Sequence, residues 1–359
     1  MFAAKNKNRV FVGLSGGVDS AVSAALLQKE GYDVTGVFIR IALEGYPCTA
    51  GEDKISAMRV AAHLRIPFLS VDLSQQYKEE VFRAAVEEFS RGRTPNPDTL
   101  CNQKIKFGHF WEFAKARGAD FIATGHYAQT KDGALFAGAD SEKDQSYFLW
   151  MVPQEVLSRT LFPIGGLAKK EVRALAQKFG LPNAARPDSQ GLCFLGDTDI
   201  EAMLKKELHP SPGALLNEAG EVVGEHRGAA LYTLGQRHGF TLAAHTPLTA
   251  PHFVVAKDIA ANTVTVSEMR APTGKTKTAV SLTSTNWVGE VVGGAYAARF
   301  RYRGALINAT LNDAKNSVTL GEAHYVPPGQ SLVLYDLPRG KAGGARCLGG
   351  GIVDKAAVF

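Results

Sequence analysis

Two groups of residues in this chain have the chemistry to transform a substrate: a small-residue turn near the start and a set of scattered cysteines. The turn is Ser15-Gly16-Gly17-Val18-Asp19-Ser20. Small residues there expose backbone N–H groups, and Ser15 and Ser20 add hydroxyl donors. A helix beginning at the turn would also point the positive end of its dipole at whatever sits in front. Together these form a cradle for an anion such as phosphate. Asp19 is out of place beside a phosphate unless a cation such as Mg²⁺ stands between them. The turn lacks the Gly-Lys-Ser/Thr ending of a Walker A loop and is no Gly-x-Gly-x-x-Gly fingerprint.

The four cysteines, Cys48, Cys101, Cys193 and Cys347, are far apart, and none forms a Cys-x-x-Cys pair. The spacing indicates neither a zinc site nor a disulfide framework, and a reducing compartment suits them. Cys101 follows a loop stiffened by Pro95 and Pro97, at the start of a helix carrying Ile105, Phe107, Phe110, Trp111 and Phe113. A helix N-terminus lowers a thiol pKa, and Lys104 and Lys106 would add to this if they face it. The alternative is a buried cysteine acting as a small hydrophobe. Cys193 sits in the polar, glycine-bearing loop Arg186–Phe194 and reads as accessible. Cys48 is a candidate third participant, and Cys347 reads as structural.

The turn needs a strand before it and a helix after it. The apolar run Val10–Leu14 supplies the strand, and Ala21, Ala24, Ala25, Leu26 and Leu27 supply a helix face that stops at Gly31. Further strands are expected at Val34–Ile39, Pro67–Val71 and Phe121–Thr124. Helices are expected between them, at Glu52–Leu64, Gln75–Phe89 and about Asn102–Arg117. Alternation of this kind implies a parallel sheet covered on both faces, with ligands bound beyond the carboxyl ends of its strands. Past Ser211-Pro-Gly213 the chain turns to short β runs at Ala214–Leu216, Glu221–Val223, His252–Ala256 and Thr263–Val266, with a hairpin turn at Asn217–Gly220. A second shift, near Pro272–Lys275, precedes runs at Asn286–Val292, Ala297–Tyr302, Asn308–Leu311, Ser317–Leu320 and Ser331–Tyr335. Their even spacing fits a small barrel or sandwich. The run Leu348–Ile352 reads as a last strand with a glycine kink. The expected division is therefore an α/β domain over residues 1–208, a β-rich adaptor over 209–275 and a β-barrel over 276–359.

With 359 residues, 45% hydrophobic and 21% charged, the composition is that of a globular protein. No apolar run reaches the ~20 residues of a membrane span, and the first ten residues carry no apolar signal-peptide core. A cytoplasmic protein with no membrane partner is the expectation. The net charge of +5 is compatible with nucleic acid. From Thr276 onward nine Lys/Arg face five Asp/Glu. Arg299, Arg301 and Arg303 would share one face of a strand, with Tyr302 opposite unless the strand bends. Such a stripe fits phosphate contact or a solvated sheet face.

The turn resembles the PP-loop of the ATP pyrophosphatase superfamily, whose members cleave ATP between the α and β phosphates and adenylate an oxygen. Beside such a turn, two loop cysteines suggest thiol chemistry on an activated carbonyl. Taken in order, SGGVDS, TPNPDTLCNQKIKFG (94–108), ATGHYA (123–128), KDQSYFL (143–149), DSQGLCFLG (188–196), YTLGQRHG (232–239) and RFRYR (299–303) resemble the tRNA-specific 2-thiouridylase family over nearly the whole chain.

That resemblance implies a set of roles. Gly13, Leu14, Ser15, Gly16, Gly17, Val18, Asp19 and Ser20 would hold ATP with Mg²⁺, and Ile39 and Gly125 would touch the adenine. The family often has Met at the position of Ile39. Cys101 would be the nucleophile, Cys193 the persulfide carrier and Asp98 a proton-transfer group. Asn96, Pro97, Asp98, Lys143, Asp144, Gln145, Arg301 and Tyr302 would contact tRNA. A persulfide carrier protein or a cysteine desulfurase would supply sulfur to a monomeric enzyme. The product would be 2-thiouridine at the wobble position of tRNAs for Lys, Glu and Gln. The segment Arg40–Thr49 is shorter than the family pattern, and Leu337–Leu348 carries extra Gly, Lys and Arg. Two other readings fit parts of the sequence: a PP-loop ligase or amidotransferase of small metabolites, and a non-catalytic tRNA-binding protein. ATP-to-AMP turnover that depends on tRNA separates all three.

Overall fold

The computed structural model describes residues 8–47, 50–188, 193–194, 199–243, 250–269, 274–336 and 344–358. Cys48, residues 189–192 of the second cysteine loop and residues 337–343 of the tail lie outside this set.

Strand β1 (Arg9–Gly13) is buried on both faces because helices cover both. Val10, Val12 and Leu14 pack into one core with the helices α1 (Val18–Lys29) and α2 (Ala50–Leu64). Phe11 points the other way, into the core that holds Cys101, Ile105 and Phe110. The expected strands form as β2 (Asp33–Arg40), β3 (Phe68–Asp72) and β4 (Phe121–Ala123). A fifth strand without a clear signal in the sequence, β7 (Thr160–Leu161), completes an all-parallel sheet in the order β3-β2-β1-β4-β7. The chain moves outward through β2 and β3, then returns to the far side of β1. This places the topological switch between β1 and β4, where such sheets bind ligands. The turn after Gly13 and the segment Thr124–Gly125 therefore meet there.

The second sheet is built from β8 (Gly213–Leu216), β9 (Val222–His226), β10 (Phe240–Leu242), β11 (Phe253–Asp258) and β12 (Thr263–Ser267), ordered β10-β9-β8-β12-β11. The turn at Asn217–Gly220 forms as expected, with Gly220 at φ +83°. A six-stranded barrel follows: β13 (Thr278–Trp287), β14 (Gly294–Arg299), β15 (Ile307–Leu311), β16 (Ser317–Leu320), β17 (Ser331–Tyr335) and β18 (Arg346–Val358), closed by pairing of β13 with β18. Its first strand ends at Trp287, so the strand expected at Asn286–Val292 starts earlier in the chain. The Gly349 kink forms, with φ +100°.

Two findings tie the parts together. The hairpin β5 (Ala128–Lys131) and β6 (Ala134–Ala137) leaves the parallel domain and joins the barrel sheet, with Phe136 opposite Arg346 and Leu135 opposite Cys347. This explains the burial of Cys347 at the seam. The loop before Cys101 is held by both β domains: Thr94 N–H donates to Pro328 O at 2.7 Å, and its hydroxyl lies 3.3 Å from that of Thr233.

The expected arginine stripe is corrected. Strand β14 ends at Arg299, and the chain turns, reaching φ +57° at Arg303. Arg299 is drawn inward and pairs with Asp144 at 3.2 Å. Arg301 donates to Leu234 O at 2.8 Å, and Arg303 donates to Glu142 O at 3.0 Å. The three side chains thus serve three separate contacts rather than one face.

Candidate active site

At the carboxyl end of β1, Gly16 adopts φ +82°, and a Cβ there would stand 2.6 Å from Asp53 O. Only glycine fits this turn. The Gly16 carbonyl accepts from Ser56 Oγ (2.8 Å), Asn183 Nδ2 (2.9 Å) and Arg186 (3.2 Å), so three side chains from two separate segments fix the loop. Gly17 is the N-cap of α1, and no side chain caps that end. The first-turn N–H groups therefore remain available to an anion. The serine hydroxyls serve the turn itself. Ser20 Oγ donates to Gly17 O at 3.1 Å and accepts from Ser15 N–H at 3.3 Å, and Gly17 N–H donates to Ser15 Oγ at 3.3 Å.

Asp19 accepts from Lys169 Nζ at 2.8 Å on each carboxylate oxygen, and from Tyr127 OH at 2.9 Å. Lys169 also pairs with Asp188 at 2.8 Å, and Asp188 takes Lys143 at 3.1 Å and Arg173 at 2.5 Å. Burial alone would raise the Asp188 pKa, but the hydrogen bonds and charges of Lys169 and Lys143 outweigh it and hold the carboxylate at about 2. No local sequence pattern marks Lys169 or Arg173. Their role comes from a helix, Lys169–Lys178, that packs on α1. No group of three or more His, Cys, Asp or Glu able to hold a metal occurs among the described residues.

Gly125 seals this end of the cleft. A Cβ there would stand 2.7 Å from Ser20 N and 2.8 Å from the Asp19 carbonyl carbon. Gly125→Ala is expected to push the turn away from β4 and weaken ATP binding at least tenfold in titration calorimetry, with little change in melting temperature. Unchanged affinity would show that the close approach is dispensable. Ile39 lies near the end of β2 with its side chain buried in the core, which leaves only its backbone for the expected adenine contact.

The second half of the site begins ten residues after Asn183 touches Gly16. Cys193 lies against Cys101, whose thiol hydrogen-bonds the Cys193 sulfur. Asp98 Oδ1 accepts from Cys193 N–H at 3.3 Å, and Tyr77 OH donates to Cys193 O at 2.9 Å. Folding thus brings together two cysteines 92 positions apart.

Cys101 takes the second of its two readings, the buried cysteine. Cys101 is the last residue of the helical turn Pro97–Cys101, beyond the strongest reach of the dipole, and is fully buried. Burial, together with its hydrogen bond to Cys193, holds its pKa well above that of a free thiol. Cys193 is half-buried rather than openly accessible. The Cys101 hydrogen bond and the positive charge of Lys106 lower its pKa to about 7 against the opposing effect of burial. Burial raises the Asp98 pKa, partly offset by Lys106 and the Cys193 N–H.

Of the two candidate lysines, Lys104 is exposed and Lys106 reaches the sulfurs. The reason is helical winding. From Asn102 to His109 the helix is a π-helix, ending where Phe110 N–H donates to Ile105 O. Residues five apart lie about 140° apart around an α-helix. In the i→i+5 winding they return toward the same face. Cys101 and Lys106 are five apart.

The residues expected to contact tRNA are not equally available. Asn96 Oδ1 caps its helix by accepting from Thr99 N–H at 3.2 Å, and Pro97 is buried. Gln145 Oε1 accepts from Tyr127 N–H at 3.0 Å. Asp144 is buried, and its carboxylate is occupied by Gly138 N–H, Ser146 N–H and Arg299, which leaves its backbone for the expected contact. Tyr302 stacks on Phe148 with ring centroids 4.5 Å apart.

Comparison with known proteins finds relatives along nearly the whole chain. Residues 8–197 match the family model described as the tRNA methyl transferase HUP domain. Residues 201–268 match its PRC-barrel domain, and residues 277–353 match the aminomethyltransferase beta-barrel domain. Three relatives carry the name tRNA-specific 2-thiouridylase MnmA. The one from Enterococcus faecalis is 39% identical, covering 99% of this chain and 97% of the relative. That from Geobacillus thermodenitrificans is 40% identical, covering 99% and 97%. That from Thiobacillus denitrificans is 42% identical, covering 96% and 99%. The chain belongs to the tRNA-specific 2-thiouridylase family.

Proposed function

We propose that this protein catalyses ATP-dependent 2-thiolation of the wobble uridine of tRNA, in the tRNAs for Lys, Glu and Gln. The observation that carries the reading is the pairing of Cys101 with Cys193 on a segment that starts at the PP-loop. Cys193 follows Arg186, which is bonded to Gly16, by seven positions, so the chain holds the two within about 25 Å.

A uracil C2 oxygen is a poor leaving group. It first attacks the α-phosphorus of ATP and releases diphosphate, leaving C2 bonded to an AMP oxygen. Gly13–Ser20 present N–H groups to the phosphates, with Ile39 and Gly125 bordering the adenine. Asp19 would supply one carboxylate to a Mg²⁺ ion that arrives with the triphosphate and would take most of its ligands from phosphate and water.

Cys193, the lower-pKa thiol, attacks the outer sulfur of a donor persulfide, breaking the donor S–S bond and releasing the donor thiolate. The terminal sulfur on Cys193 then displaces AMP from C2. Cys101 loses its proton and attacks the Cys193 sulfur, which frees the thiocarbonyl and leaves a Cys101–Cys193 disulfide. A two-electron dithiol reductant resets the pair. The raised pKa of Asp98 suits a group that passes these protons. Asn96, Pro97, Asp98, Lys143, Asp144, Gln145, Arg301 and Tyr302 contact the tRNA. The protein acts as a cytoplasmic monomer served by a persulfide carrier or a cysteine desulfurase.

Incubation with unmodified tRNA, Mg-ATP and a persulfide donor tests this by nucleoside mass spectrometry. The expected products are 2-thiouridine and AMP, both dependent on tRNA. AMP formed equally without tRNA would point to a metabolite ligase, and no ATP turnover at all would point to a binding protein.

A further inference from the structure

Among the described residues Lys106 is the cation whose charge acts on both sulfurs, and the steps above give it no part beyond lowering the Cys193 pKa. Its ammonium hydrogen-bonds the Cys193 sulfur and lies 5.8 Å from the Phe194 ring centroid. The neighbouring titratable groups have definite states. Asp98 on the same helix is the nearby carboxyl. Tyr77, from the helix across the site, stays protonated because burial raises its pKa. His126, beyond Phe107, stays neutral because burial and Lys106 itself lower its pKa. Cys101 keeps its proton. An ammonium held beside the Cys193 sulfur adds its charge to the Cys101 hydrogen bond in favouring the thiolate.

We propose that Lys106 is a catalytic residue of the sulfur-transfer half of the reaction: its ammonium holds Cys193 as the thiolate that takes up sulfur, and then holds the anionic terminal sulfur of the resulting persulfide. When Cys101 attacks the Cys193 sulfur, the same ammonium stabilises the negative charge on the outer sulfur that departs with the base. No additional oxidant or reductant enters. Lys106 keeps its own proton throughout, since the surrounding thiols and Asp98 raise its pKa despite burial. The inference rests on the proposed thiolation for its second part only. The first part, the charge of Cys193, can be measured without ATP or tRNA.

The test is the pH dependence of Cys193 alkylation by iodoacetamide in the full chain, resolved from Cys101 by peptide mass spectrometry. Wild type is expected to titrate near neutrality. Lys106→Met should react at least tenfold more slowly at pH 6.5 and recover at high pH, whereas Lys106→Arg should stay within about threefold of wild type. A matching loss of 2-thiouridine in Lys106→Met, rescued by Arg, supports the second part. An unchanged alkylation profile in Lys106→Met overturns the proposal. If the Met variant does not fold, as judged by circular dichroism, Lys106→Gln replaces it with the same two readings. A shifted Cys193 profile in a protein that makes no 2-thiouridine even as wild type would keep the lysine assignment and remove the thiolation reading instead.

Discussion

Cys193→Ala is expected to yield no detectable 2-thiouridine, a loss of at least about a thousandfold, while tRNA-dependent release of diphosphate from ATP continues. The two outcomes separate because the two chemistries occupy separate parts of one cleft. Adenylation uses the turn after β1 and the Asp19–Lys169–Asp188 network, none of which touches the cysteine sulfur. Sulfur transfer needs a thiolate, and Cys193 provides it. With its pKa near 7, about half of Cys193 is ionised at neutral pH, against a few per cent of an ordinary thiol. Persulfide loading of the wild type should therefore climb as pH rises through 7 and level off above it. Cys101→Ala should behave differently from Cys193→Ala: Cys193 still gains one sulfur, seen by intact-peptide mass spectrometry, but the product is released slowly. Thiolation by Cys193→Ala at the wild-type rate would mean that sulfur reaches C2 without a protein persulfide.

Asp144→Ala is expected to remove a large share of the protein's folding stability. Asp144 is 5% exposed and carries three hydrogen bonds, two from backbone N–H groups and one from Arg299, itself 15% exposed by side chain. Removing the carboxylate leaves a buried guanidinium and two donors unpaired, which costs about 3–5 kcal/mol. The Arg299 Nε has no partner already, so little compensation is at hand. Arg299→Met should cost a comparable amount. Arg303→Ala, exposed and bonded to a surface carbonyl, should change stability by less than about 0.5 kcal/mol. Urea midpoints of the three variants provide the comparison. Equal, small effects for Arg299 and Arg303 would restore the view that these arginines form one solvated stripe.

The contrast between those arginines shows where the sequence stops being legible. Alternation reads a face only while the chain stays extended. The turn after Arg299 leaves no mark in RFRYR beyond the bend already required for Tyr302. The parallel sheet was readable because Val10–Leu14 and Val34–Ile39 are apolar on both faces, the signature of burial between helix layers. The Ser15–Ser20 turn was readable because its constraint is local: only glycine tolerates the Gly16 backbone. The cysteine pair was readable as two candidates and not as a pair, since 92 intervening positions hide their meeting. Their relative acidity was illegible for the same reason. A helix-dipole argument treats Cys101 alone, whereas Cys193 and Lys106 decide which sulfur keeps the proton. Lys106 itself was visible only as one of two lysines, because a π-helix has the composition of an α-helix and the choice between Lys104 and Lys106 depends on winding. Lys169 and Asp188 offered no pattern, their partnership being set by the packing of one helix against another.

The β5–β6 hairpin also limits how this architecture can be recombined. A chimaera that grafts the barrel of one relative onto the parallel domain of another would have to exchange residues 128–137 as well, because β6 is the strand that completes β18 at Arg346 and Cys347. Cutting between the two leaves a bare strand edge on each fragment, and bare edges recruit other chains. The three parts of this protein are consecutive in sequence, but the seam between the first and the last is woven, so a cut in the chain does not separate them cleanly.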